Sequence, residues 1–219
     1  MEKPNKYDEG TKKQGRLHED SALKKIGGDA VNLNDIAGLG HKGYQFPTFD
    51  ISSSTELTSV KSHVSMPGQI SEQDINCYKT DFKKMLGHNR NGPFPMGEDV
   101  KNIASLAENG HPVPTKLQGA DQTKIVEYLQ HETVMRIPDD HVEKMQSIIT
   151  ADAKQIPENF YLPGSPTEEQ LSALGNRIQG SGLSSSETAE IMQNKGDSIT
   201  PEKESQPDTQ YDYSSGYSI

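Results

Sequence analysis

"QFPTFDISSSTELTSVKSH", residues 45–63, decides how this chain is read. Phe46, Thr48 and Asp50 alternate with Pro47, Phe49 and Ile51, a polar "SSST" supplies the turn, and "ELTSVKSHV" follows, so the stretch reads as a β-hairpin. Pro47 favours the start or edge of its strand. In the second strand Leu57, Ser59, Lys61 and His63 share one face, while Glu56, Thr58, Val60 and Ser62 share the other. A lysine on a packed face is costly unless it is paired. An Asp closing the neighbouring strand, Asp50, is its expected partner.

An Asp and a Lys on adjacent strands, joined by a second carboxylate from a helix, suit metal-dependent phosphodiester cleavage. The carboxylates hold a divalent cation that polarises the phosphate and activates water, and the lysine orients that water or offsets developing charge. Oxygen ligands favour Mg2+ or Mn2+ over Zn2+. The simpler alternative is an ordinary ion pair across a hairpin.

The motif "FPTFDISSSTELTSVKS" resembles the hairpin of the PD-(D/E)xK nuclease superfamily, and is most similar to nuclease domains of bacterial polymorphic and contact-dependent toxins. The resemblance spans residues 15–90. It implies an α/β (α+β) domain of the restriction-endonuclease-like kind, a small mixed sheet flanked by helices, here with a helical C-terminal extension. It implies Asp50 and Glu19, the latter from "GRLHEDSALKKIG", as metal ligands and Lys61 as the catalytic lysine. Ser59 stands where the superfamily carries an acidic residue two positions before the lysine, so the missing charge falls to Glu19, with Asp20, Asp29 and Asp35 as rivals. The resemblance also implies a nucleic acid substrate, DNA or RNA, delivery from a producing bacterium to the cytoplasm of a target cell, and a cognate immunity protein.

His63, Lys79, Lys83 and Arg90 are candidate phosphate contacts around this site, Lys79 and Lys83 riding on the next helix with Lys84 and preceding His88. His111, His131 and His141 are too scattered for a metal set, and "HETVMRIPDDH" lacks the one-turn His pair of a zinc protease. Cys77 is the only cysteine, which excludes an internal disulfide and a cysteine-built zinc cage.

Elsewhere the apolar residues are sparse but clustered. The hydrophobic fraction is 31% and there is no Trp. Residues 1–14 read as a flexible lead, 15–180 as the nuclease-like domain with its helical extension, and 181–219 as a disordered polar tail with a brief helix at 186–193. Ser71 and Asp74 frame a helix carrying Ile75, Tyr78, Phe82, Met85 and Leu86 up to Gly87. Further helices are expected at 98–109, 122–136, 140–154 and 166–179, the last capped by Ser165 with Pro166 and Glu168.

The net charge is −10, divided unequally: residues 1–90 hold thirteen Lys/Arg against twelve Asp/Glu, and residues 91–219 hold nine against twenty. An acidic second half repels nucleic acid and suits a basic partner. A non-catalytic interaction or adaptor protein is therefore the second reading, and a metal-independent ribonuclease using His63 or His88 as acid and base is the third. No stretch approaches the length of a membrane span and no apolar segment follows a basic N-terminus, so a soluble chain without a standard export signal is expected.

Overall fold

The computed structural model describes residues 6–36, 49–89, 92–93 and 97–197. Seven helices and a five-stranded mixed sheet lie within them, together with a two-stranded ribbon. In chain order they are α1 (Lys6–Ile26), β1 (Val31–Asn32), β2 (Ile51–Ser52), β3 (Leu57–Val60), α2 (Glu72–Met85), β4 (His88–Asn89) and β5 (Gly92–Pro93). They continue as α3 (Gly97–Glu108), α4 (Gln122–His131), β6 (Val134–Ile137), α5 (Val142–Gln155), α6 (Glu168–Asn176), β7 (Ile178–Gly180) and α7 (Ser185–Asp197). The sheet order is β1-β2-β3-β6-β7, with β4 and β5 forming the ribbon.

The hairpin folds for local reasons. Ile51 faces Thr58 and Ser52 faces Leu57 in the antiparallel β2–β3 register. The serines between them close the turn: Ser53 N donates to Glu56 O at 3.0 Å, and Ser53 Oγ accepts from Thr55 N and Glu56 N. A hydroxyl that binds its own backbone two and three residues on favours a turn over a continuing strand. Asp29 Oδ1 then takes Ser54 N and Oγ at 3.0 and 3.1 Å, tying the turn to the loop after α1. Phe46, Pro47 and Thr48 of the quoted stretch lie outside the described residues.

Beyond β3 the sheet becomes parallel, Ser59 opposite Met135 and Met135 opposite Ile178. On one face Leu57, Met135, Ile137 and Ile178 join Tyr78, Phe82 and Met85 of α2 and Met145 and Ile149 of α5 in a single large core. Burial of this extent is the main stabilising term of the fold. On the other face Ile51 and Val60 meet Ala22 of α1 in a small cluster, with Leu23, Ile26 and Ala30 packed around it.

Helix α2 starts as expected, with reciprocal capping between Ser71 and Asp74, and the chain turns away at Gly87 at a φ of 88°. Cys77 sits partly buried on it. Other boundaries differ from the sequence reading. Helix α1 begins at Lys6, so ordered structure runs through most of the stretch read as a flexible lead. Residues 134–136 and 178–179, read as the ends of helices, belong to strands β6 (Val134–Ile137) and β7 (Ile178–Gly180). The capping box of α6 belongs to Thr167 and Gln170, two residues after the expected Ser165. Helix α7 extends ordered structure into the stretch read as a tail, and Thr188 is buried against α1. Residues 198–219 lie outside the described residues. No helix among the described residues is long and apolar enough to cross a membrane.

Candidate active site at the end of the hairpin

Asp50 immediately precedes β2, so the strand begins after the acid that the sequence reading placed at a strand end. Its backbone N donates to Thr58 O at 2.9 Å, and its side-chain Oδ2 accepts from Val60 N at 2.7 Å. The carboxylate thus continues the ladder in place of a main-chain carbonyl, which fixes its orientation. Lys61 N donates to Arg136 O at 2.8 Å, extending β3 along β6 by one residue. From there Lys61 Nζ donates to Asp50 Oδ2 at 3.4 Å, with the two side chains 25% and 20% exposed. The pair lies at the rim of the sheet, half-shielded and open to a ligand.

Glu19 approaches from α1. Asn32 Nδ2, at the end of β1, donates to Glu19 Oε2 at 2.7 Å, and Arg16 Nη1 stands 3.6 Å from the same oxygen. Burial drives the Glu19 carboxyl above its ordinary value; the negative charge of Asp50 adds to this, against the lowering by the Asn32 hydrogen bond and the Arg16 charge. A carboxylate disfavoured by burial and by a neighbouring negative charge gains from taking up a cation. The rival acids are committed elsewhere. Asp20 and Asp35 both pair with Arg16, and Asp29 holds the hairpin turn.

A third acid lies on α2. Asp81 Oδ2 is 2.7 Å from His63 Nε2, and its other oxygen takes Lys84 Nζ at 3.2 Å. Burial works to raise the Asp81 carboxyl, but the hydrogen bond and charge of His63, the charge of Lys61 and the Lys84 bond outweigh it and hold it below the ordinary range. Lys61 is therefore within the field of both Asp50 and Asp81.

The remaining expected residues divide. Ser59 is buried in the middle of β3 opposite Met135. Lys79 pairs with Asp152 of α5 at 2.6 Å, and Lys83 lies over the Phe160 ring at 5.7 Å from its centroid, so both ammonium groups are engaged where α2 packs on the following helices. Arg90 lies outside the described residues. A cleft of about 740 Å3 opens elsewhere, among Asp29, Ala104, Ala107, Val113, Leu117 and Ile125, and contains none of Glu19, Asp50 or Lys61.

Sequence reasoning did not find Asn32 or Asp81. Asn32 carries only the signal of a turn residue, its Oδ1 accepting from Asn34 N at 2.8 Å. Asp81 carries none, because an acid between lysines on a helix is ordinary.

Among the described residues no group of three or more His, Cys, Asp or Glu is arranged to hold a metal ion. Glu19 and Asp50 carry hard oxygen donors, the ligand type that Mg2+ and Mn2+ take. Comparison with protein-family models, curated proteins and solved structures found no match.

Proposed function

We propose that this chain cleaves phosphodiester bonds of nucleic acid, with Glu19 and Asp50 as the ligands of a divalent cation and Lys61 as the catalytic lysine. The observation that carries the reading is the convergence of three residues from three elements: Lys61 Nζ reaches Asp50 Oδ2 at 3.4 Å, and Asp50 lies close enough to Glu19 to raise its carboxyl. The mixed five-stranded sheet flanked by helices supports it at the coarse level, being the kind of architecture that the resemblance implies.

When bound, the ion supplies a Lewis acid for the phosphoryl oxygen and a water of lowered pKa. Lys61 would orient the attacking water and face the charge growing on the phosphate, while Asp50 keeps the ammonium in position. Asn32 fixes the Glu19 carboxylate through its hydrogen bond to Oε2. The Arg16 guanidinium nearby offsets part of the repulsion between the acids. Delivery to the cytoplasm of a competing bacterium and neutralisation by a cognate immunity protein go with the resemblance and are proposed on it alone.

The test is incubation of the purified chain with plasmid DNA and with total RNA, in Mg2+, Mn2+ or EDTA. Cleavage is expected with either metal, is abolished by EDTA, and falls about 100-fold or more in Lys61→Ala with an unchanged circular dichroism spectrum. Cleavage that persists in EDTA moves the chemistry to the histidines. No cleavage on either polymer makes the chain an interaction protein, the role its acidic second half suits.

A further inference from the structure

Lys61 leaves the sheet through Ser62 and His63, and this short exit is held from both flanking helices. Gln14 Nε2 of α1 donates to Ser62 O at 3.0 Å. Tyr78 of α2 donates its hydroxyl to His63 O, and its ring lies against the imidazole with centroids 5.3 Å apart. Burial raises the Tyr78 hydroxyl well above its ordinary value, so it stays a phenol and a donor.

The imidazole itself is bound to Asp81 through Nε2 at 2.7 Å, yet its side chain is 38% exposed. An ionised carboxylate only accepts, so Nε2 carries a proton and Nδ1 is the nitrogen through which the ring exchanges a proton. The charged and titratable groups facing this unit are Asp81 and Lys84 of α2, Lys61 of the site, Asp74, Cys77 and Asp140 around the Tyr78 hydroxyl, and His141, whose Nδ1 lies 3.1 Å from that hydroxyl. A histidine with this many restraints has little freedom left to lose on meeting a substrate.

We propose that His63, oriented by Asp81, is the general acid that protonates the leaving oxygen in this cleavage. The inference rests on the nuclease reading above. A water oxygen forms a bond to phosphorus, its proton passes to solvent, and the bond from phosphorus to the leaving oxygen breaks. That oxygen takes the Nδ1 proton of the His63 imidazolium, and solvent returns a proton to the neutral ring. The site then has one charged group on each side of the phosphate, Lys61 toward the nucleophile and His63 toward the leaving group.

The experiment uses the full chain with Mg2+ and an oligonucleotide of whichever polymer is cleaved, made with the normal linkage or with sulfur replacing the leaving oxygen. A thiolate leaves without a proton. His63→Gln is expected to lose about 100-fold on the oxygen linkage and to stay within about threefold of wild type on the sulfur linkage, whereas Lys61→Ala is slow on both. Asp81→Asn lowers the rate less than His63→Gln does. If His63→Gln is equally slow on both linkages, or matches wild type on oxygen while Lys61→Ala is inactive, the acid role is overturned and the nuclease reading stands. A wild-type chain that cleaves nothing overturns both. Nitrogen NMR of the metal-free wild type provides a readout independent of activity and of any variant's folding: the neutral form of the His63 ring should carry its proton on Nε2, and finding it on Nδ1 would overturn the orientation.

Discussion

On the face of the sheet covered by α2, α5 and α6, Leu57, Met135, Ile137 and Ile178 meet a continuous apolar core. On the face covered by α1 only Ile51 and Val60 are apolar and clustered, and around them the groups are polar. Arg136, whose neighbours Met135 and Ile137 point into the core, sends its guanidinium the other way. It donates from Nε and Nη2 to Glu56 Oε1 at 3.1 and 2.9 Å, and from Nη1 to Gly180 O at 3.0 Å. Thr58 donates to the same Glu56 oxygen at 2.6 Å. Further along, His18 of α1 is fully buried, with Nδ1 2.7 Å from Ser181 Oγ and Nε2 2.9 Å from Thr188 Oγ1 of α7. Gly180 leaves no room for a side chain here, since a Cβ would lie 2.0 Å from Asp139 Oδ1.

The contrast teaches a division of labour. Apolar packing is strong and weakly directional, so it sets where the helices lie. Hydrogen bonds contribute less each but fix angle and register. Helix α1, which carries Glu19 and Gln14 to the site, is attached mainly in the second way. Its placement depends on a few buried polar groups whose loss leaves unsatisfied partners.

Breaking the apolar face should produce the largest effect. Phe82 is fully buried, its ring near Phe160 and under the Arg177 guanidinium at 5.6 Å, so Phe82→Ala should cost about 3–5 kcal/mol in urea unfolding. A cost below about 1 kcal/mol would mean that α2 is not held by this core.

Acidification tests the polar face. Burial pushes the His18 imidazole down to about 4, the charges of Asp139 and Asp140 opposing this and His141 adding to it. The unfolded chain therefore binds the proton more readily. The stability contributed by the neutral ring is complete above the unfolded pKa, is lost as pH falls from about 6.5 toward 4, and reaches a total loss of about 3 kcal/mol. Unfolding free energies in EDTA should show this slope, and His18→Gln should flatten it. An unchanged slope in the variant would remove His18 as the acid-sensitive contact.

The smallest effect sharpens the comparison on a helix held by the core. Removing the α2 cap with Ser71→Ala should cost about 1 kcal/mol and leave the proposed cleavage unchanged under folding conditions, because packing, not the cap, places Asp81.

The hairpin was legible in the sequence because its signals are local: alternation in the strand and hydroxyls that bind their own turn. The start of α2 was legible for the same reason, Ser71 and Asp74 satisfying each other three residues apart. Strands β6 and β7 were not. Each is three or four residues long, and "VMRI" sits beside a helical pattern with no alternation to separate it. Only pairing with β3 made it a strand. Likewise Lys79 and Lys83 form a basic run in the sequence, but packing against Asp152 and Phe160 decided their direction.

The sequence by itself determined that Asp50 and Lys61 face each other, since a tight turn between two strands leaves almost no freedom in register. Local spacing could not relate Glu19, which only the resemblance singled out, or Asp81 to this pair; the tertiary structure brings the Glu19 carboxyl under the influence of the Asp50 charge and Asp81 under that of Lys61. Those two acids lie 31 residues from Asp50 on either side, and nothing local links them to it. Their approach is set by how α1 and α2 dock on the sheet, and docking depends on contacts between residues that sequence spacing does not relate.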